Sequence, residues 1–357
     1  MPILCINAGL IIFVLLSLEL MFYFKILENS GIRSITFPSK ENENKITYLN
    51  QSPYIKFQAN KEITSMGARG EDFTYTWKTD SLGFKNSQKI LNKSKIDFIA
   101  LGDSFTEGMG VATENTWTNI LNNKYQITVY NAGVQGYSSS QMLGTLMLLK
   151  DKIDFQGVII GALPGIYKRE KYFIGSSKIT NGTGGIESIR IARLTANNTF
   201  LAGFLRAVKN MLWIPKKLQN NRYLSEINTP DQEATLKVNP NWKMQLSNYK
   251  TIVNWAQKNK KKVYLIQFPQ RHEVYFSESI QGLNSINETQ YYVELTLLKK
   301  EFGSFIEIID LYPPIKNSFV TNPKKLMYFK LDGHMNEYGQ ELVASSIFEV
   351  IKHFENH

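Results

Sequence analysis

Cysteine is almost absent from this chain, and histidine is scarce. The single Cys5 lies in the N-terminal apolar run, which excludes an internal disulfide framework and any metal site built on clustered cysteines. Four histidines in 357 residues leave few candidates for a base or a metal ligand. The one His-x-x-x-His pair, His353 and His357, falls at the chain end, and no His-Glu-x-x-His or carboxylate cluster occurs. Metal-dependent hydrolysis therefore has little basis. No Gly-x-x-x-x-Gly-Lys-Ser/Thr loop is present, so no nucleotide is indicated, and the sequence implies neither a cofactor nor a metal. Internal repeats and low-complexity segments are also missing.

What the chain does have is a basic surplus, +10 at neutral pH. Such a charge suits an anionic partner: a membrane surface, an acidic polysaccharide or nucleic acid. Nucleic acid is the weakest of these. The lysines are scattered in pairs such as Lys216/Lys217 and Lys324/Lys325, with Lys260–Lys262 the longest run, and no helix-turn-helix, zinc-finger or RNP pattern organises them. Most of the charge reads as a solvated face. With 43% hydrophobic and 12% aromatic residues the chain can bury a core, and 20% charged residues argue against wholesale disorder.

From Ile3 to Phe24 the chain is a largely apolar run interrupted by Asn7 and Glu19, about twenty-two residues and long enough to cross a bilayer. We read it as a transmembrane anchor over 1–24. A cleaved signal peptide is the competing reading, but no Lys or Arg precedes the run and no small-x-small site follows it. Residues 25–90, with Pro38, Pro53 and β-like pieces at Ile46–Leu49 and Phe73–Trp77, read as an extended arm or small β cap.

Beyond residue 90 the pattern becomes regular. Strand-like runs at Ile96–Leu101, Ile127–Tyr130, Val158–Ile160, Val263–Gln267 and Phe305–Ile309 alternate with helical stretches at Thr113–Asn122, Ser139–Lys150, Met244–Lys258, Gln290–Lys300 and Glu337–His353. This alternation predicts a mostly parallel, doubly wound sheet in a three-layer α/β/α sandwich, with its site at the C-terminal strand ends. One α/β domain over 91–357 is favoured over two domains. The alternation lapses at about 166–241, which reads as an insertion after the third strand. Within it, Phe200–Leu205 followed by Arg206, Lys209, Trp213, Lys216 and Lys217 forms a basic amphipathic segment. A helix packed on the core is favoured there over a membrane-lying helix or lid.

The run GDSFTEG, Gly102–Gly108, follows the first strand directly. A strand-to-helix turn lifts Ser104 from the sheet and directs helix N-terminal N–H groups at an anion forming beside it, as acyl transfer requires. By itself the run fits a capping turn equally well. A serine nucleophile also needs a base, commonly a histidine oriented by a carboxylate. His353 and His357 sit at the end of the last helix, and His272, in FPQRH past the fourth strand, reads as a surface-loop residue. His334 is better placed. It lies in LDGHMNEYG, Leu331–Gly339, two residues after Asp332, with Asn336 as N-cap and Glu337 in the first turn of the following helix. Asp332 could thus hold one ring nitrogen while the other faces Ser104.

Taken together, Gly102–Gly108, NAGVQGYS at Asn131–Ser138 and DGHMN at Asp332–Asn336 stand in an order and strand context that resembles the SGNH, or GDSL-type, hydrolase superfamily. The resemblance spans about residues 75–355. TDSLGFK at Thr79–Lys85 is similar to an Asn-Ser-x-Gly-Phe-Arg stretch in a membrane-anchored bacterial branch of that superfamily. The resemblance implies a serine esterase with Ser104 as nucleophile, His334 as base and Asp332 as its orienting acid. It also implies the N–H groups of Ser104 and Gly136 as oxyanion donors. The Asp-x-His spacing resembles the branch that includes polysaccharide O-acetyltransferases as well as esterases.

One block departs from the pattern. Where the superfamily has Gly-x-Asn-Asp, with asparagine as third donor, this chain has GALPGIY, Gly161–Tyr167. The N–H of Gly165, or Gln135, is the expected substitute. The leading expectation is hydrolysis of an acetyl or acyl ester on a carbohydrate or cell-envelope substrate. O-acyl transfer to a polysaccharide and a catalytically degenerate carbohydrate-binding or assembly module are the alternatives. The resemblance favours a periplasmic or extracellular body, whereas the nearest flanking charges, Lys25, Glu28 and Arg33, point weakly inward.

Overall fold

The computed structural model describes residues 46–48, 55–67, 72–93, 95–170, 232–276, 289–330 and 332–352. All belong to the unit formed by Lys45–Ser177 and Tyr223–His357. The apolar run Ile3–Phe24, the basic segment 200–217 and the residues His353 and His357 lie outside the described residues. Among the described residues, no helix is long and apolar enough to cross a membrane.

Two antiparallel pairs precede the main sheet. β1 (Ile46–Tyr48) pairs with β2 (Ile55–Phe57), and β3 (Glu62–Gly67) with β4 (Phe73–Lys78). Thr64 and Thr76 face each other across the second pair, and Phe57 meets Trp77 edge to face at 5.1 Å. Such cross-strand and aromatic contacts hold an otherwise marginal hairpin.

The main sheet has five parallel strands: β5 (Ile96–Leu101), β6 (Val129–Asn131), β7 (Phe155–Ala162), β8 (Lys262–Gln267) and β9 (Glu307–Asp310), in the spatial order β6-β5-β7-β8-β9. The order reverses at β5, which has the next strand in sequence on one side and the one after it on the other. In open α/β sheets such a reversal, at the C-terminal strand ends, is where sites are generally built.

Alternation along β5 explains why both faces are covered. Ile99 and Leu101 enter one core with Val158, Ile160, Leu146 and Tyr249, whereas Phe98 and Ala100 enter another with Ile159, Ile266, Trp117 and Ile347. A strand apolar on both faces must be sandwiched between helices. Those helices are α1 (Ser104–Glu107), α2 (Trp117–Lys124), α3 (Ser139–Leu149), α4 (Gln232–Val238), α5 (Pro240–Lys258), α6 (Arg271–Phe276), α7 (Gln290–Phe302), α8 (Tyr312–Thr321) and α9 (Glu337–Ile351). α3 and α5 cover the first face, and α2 and α9 the second.

Three local expectations are corrected. The helix expected over Thr113–Asn122 is a 3₁₀ turn, Thr113–Asn115, followed by α2, because the Thr116 side chain accepts the Asn119 N–H and starts a new helix. The strand expected from Phe305 starts at Glu307; Phe305 is 65% exposed, and its N–H closes a turn onto the Phe302 carbonyl. His272, expected in a loop, lies in the first turn of α6.

Candidate active site

β5 ends at Leu101, and Asp103 caps the four-residue helix α1 by accepting the Phe105 N–H on its side chain at 3.0 Å. Gly108 closes that helix with φ +75°, a left-handed conformation in which a side chain would be strained. Ser104 is therefore the first helical residue. It is 6% exposed, and its N–H precedes the helix's own hydrogen bonds.

The Oγ of Ser104 lies 2.7 Å from Nε2 of His334. On the other side of the ring, Nδ1 makes a short hydrogen bond to Oδ1 of Asp332, which also accepts the His334 backbone N–H at 2.9 Å. With the proton on Nδ1, Nε2 is free to accept from the serine hydroxyl. Partial burial raises the Asp332 carboxyl, but the hydrogen bonds and charge of His334, with the Arg271 charge, outweigh that and hold it below the ordinary carboxylate range. Asn336 caps α9 by accepting the Gly339 N–H at 3.0 Å, fixing where the loop ends.

Three partners of that loop were not singled out in the sequence. Arg271, from α6, donates to the carbonyls of Phe329 at 3.0 Å and Lys330 at 2.6 Å. The Asp72 carboxylate accepts the Asp332 N–H. Phe73 packs on Phe329 with ring centroids 4.7 Å apart. Thus the hairpin before the sheet touches the loop that carries Asp332 and His334.

The same hairpin region reaches the serine helix. Lys85 is 1% exposed, and its Nζ donates to the carbonyls of Gly108 at 2.8 Å and Val111 at 2.6 Å. It also lies over the Tyr75 ring, 4.5 Å from the centroid. Burial lowers the Lys85 ammonium to about 7 against the opposing charges of Glu107 and Glu114. Burial likewise pushes the Glu107 carboxyl up.

Asn131, at the end of β6, ties α1 to the second motif. Its side-chain amide donates to the Thr106 carbonyl at 3.0 Å, while its Oδ1 accepts the Gly133 N–H at 3.0 Å. The loop then carries Gly136, with φ +78° and no heavy atom within 4 Å of where a Cβ would stand. Glycine is needed for that backbone, and the space beside it is open to a substrate. Gln135 is exposed, and its N–H is held by Oε2 of Glu107 at 2.7 Å.

Gly165 is corrected as an oxyanion donor. Its N–H donates to Oε1 of Glu294 in α7 at 2.8 Å, so the group expected to be unpaired after Pro164 is engaged. What the segment after β7 does send toward the site is Arg169, the last residue of a 3₁₀ turn, Ile166–Arg169. Its Nη1 donates to Oδ2 of Asp103 at 2.8 Å and to the Tyr137 carbonyl at 3.0 Å.

No family model and no curated protein matches the chain. Among solved structures, a lipolytic protein of the G-D-S-L family from Desulfitobacterium hafniense is similar at 17% identity, over 72% of this chain and 99% of that one, with a TM-score of 0.39. An acetyl xylan esterase, AlAXEase, is similar at 14% identity over 72% and 100%, with a TM-score of 0.39. A lipase/acylhydrolase from Enterococcus faecalis is similar at 16% over 72% and 95%, with a TM-score of 0.38. Three blocks that lie far apart in sequence meet at the reversal point of one parallel sheet, where Ser104, Asn131 and His334 are brought together on a parallel α/β fold.

Proposed function

We propose that the protein is a serine acyl-ester hydrolase. The observation that supports this reading most is the 2.7 Å contact of Ser104 Oγ with His334 Nε2, backed by Asp332 on Nδ1. In this reading His334 takes the Ser104 proton as the oxygen attacks the ester carbonyl. The N–H groups of Ser104 and Gly136 stabilise the oxyanion. His334 then gives the proton to the leaving alcohol, and water, deprotonated by the same imidazole, releases the acid from the acyl-enzyme.

The substrate class we propose is an acetyl or acyl ester on a carbohydrate or cell-envelope polymer. The +10 net charge and the apolar run Ile3–Phe24 support it, since both suit an enzyme held at a membrane beside an anionic polymer. The body then lies outside the cytoplasm, tethered by that run. Protease treatment of spheroplasts tests this placement: digestion supports it, and protection until the cytoplasmic membrane is lysed contradicts it.

Acetate release from an acetylated polysaccharide, with and without added acceptor glycan, tests the reaction. Release without acceptor, abolished in Ser104→Ala, is the expected result. Turnover that requires an acceptor would assign O-acyl transfer to the same residues. Binding of the polymer without turnover of any ester would contradict an enzymatic role.

A further inference from the structure

Gly136 carries an N–H that the proposed reaction needs, yet nothing lies within 4 Å of where its Cβ would stand. Its neighbours must therefore fix its position. On one side the Gln135 N–H is held by Glu107, and on the other the Tyr137 carbonyl is held by Arg169. Both holding groups act on the serine helix. Glu107 is the last residue of α1, and Arg169 is ion-paired with Asp103, which caps the same helix.

We infer that Arg169 and Glu107 form a clasp, one arm at each end of α1, that sets the Gly136 N–H against Ser104 and makes Arg169 a positioning residue for the oxyanion site. This inference rests on the proposed ester-hydrolase reading. Asp103 is 1% exposed on its side chain and Arg169 30%, so the pair is half removed from water. Charge-assisted bonds in such a setting are among the stronger ones available. Their geometry also bears on the missing asparagine. Arg169 follows the divergent block Gly161–Tyr167 in the segment after β7, and it bridges the two backbone stretches that carry the remaining donors. A site with two N–H donors depends heavily on their alignment, because a displacement of about 1 Å can cost on the order of a hundredfold in rate.

The test compares full-length wild type with Arg169→Met and Arg169→Lys, using p-nitrophenyl acetate turnover, the rate of Ser104 modification by a fluorophosphonate, and thermal unfolding. In Arg169→Met, kcat is expected to fall about tenfold to a hundredfold with KM within about twofold. Fluorophosphonate modification slows in parallel, because the phosphonyl oxygen uses the same donors. Arg169→Lys, or methylguanidinium added to Arg169→Met, restores part of the rate. Wild-type kcat and labelling in a folded Arg169→Met, a change in KM alone, or failure of both variants to fold would overturn the clasp. If wild type neither turns over the ester nor labels at Ser104, the ester-hydrolase reading fails as well, an outcome distinct from loss of the clasp alone.

Discussion

At the scale of residues, the proposed chemistry depends on the contact of Ser104 with His334, side chains 230 positions apart in sequence. Ser104→Ala removes the proposed nucleophile at the cost of one buried hydroxyl and its contact with His334, so ester turnover is expected to fall by on the order of a thousandfold or more, with a much smaller effect on the unfolding midpoint. Asp332→Asn keeps the size of the side chain but presents an amide that can favour the wrong ring tautomer. A loss on the order of a thousandfold to ten-thousandfold in kcat is expected, by analogy with the serine-protease triad. Steady-state kinetics on a soluble ester checks both. These three residues were legible because serine, histidine and aspartate stand in recognisable short runs. Asp72, Arg271 and Arg169 were not, because they hold backbone groups of distant residues, and backbone groups look alike at every position. Gly165 was misread for a related reason: its partner, Glu294, is 129 positions away on another helix.

Among the elements, α1 is the most dependent on its surroundings. Four residues cannot sustain a helix alone, so its ends are held from outside, by Asp103 at the start and by Lys85 on the Gly108 carbonyl at the finish. Lys85→Met leaves the Gly108 and Val111 carbonyls without that donor and Glu107 without its neighbouring cation. Urea unfolding is expected to show a loss of about 3 kcal/mol or more, and a value within about 0.5 kcal/mol of wild type would contradict the role given to Lys85. The elements of the main sheet were readable from apolar periodicity. Their ends were less so: one threonine hydroxyl divides the stretch from Thr113 into two helices, and one turn moves the start of β9 to Glu307.

At the scale of the whole molecule, the parallel sheet was legible because its strands are apolar on both faces, whereas the engagement of the hairpin region with the serine helix was not. The interior also holds carboxyls whose protons couple folding to pH. Burial pushes Glu273 up to about 8 and Glu294 up to about 7, from an ordinary 4.5. Each keeps in the folded state a proton that the unfolded chain gives up near pH 4.5. Their contribution is therefore fully present below about pH 4.5 and is lost as pH rises through 7 to 8. The loss is on the order of a few kcal/mol across that window, and Glu107 acts in the same direction. Lys85, lowered to about 7, acts oppositely above that pH, so its contribution lies above the window from 5 to 7. Denaturant unfolding between pH 5 and 7 should show stability falling as pH rises, with a shallower slope in Glu294→Gln; a flat profile in wild type would contradict the assignment.

The most direct test of the account is reaction of the purified protein with a fluorophosphonate, followed by mass analysis of its peptides. The account predicts a single phosphonyl group on Ser104 and none in Ser104→Ala. It also predicts slow or no modification in His334→Gln. Absence of labelling in wild type, or equal labelling of Ser104→Ala at another residue, would contradict it.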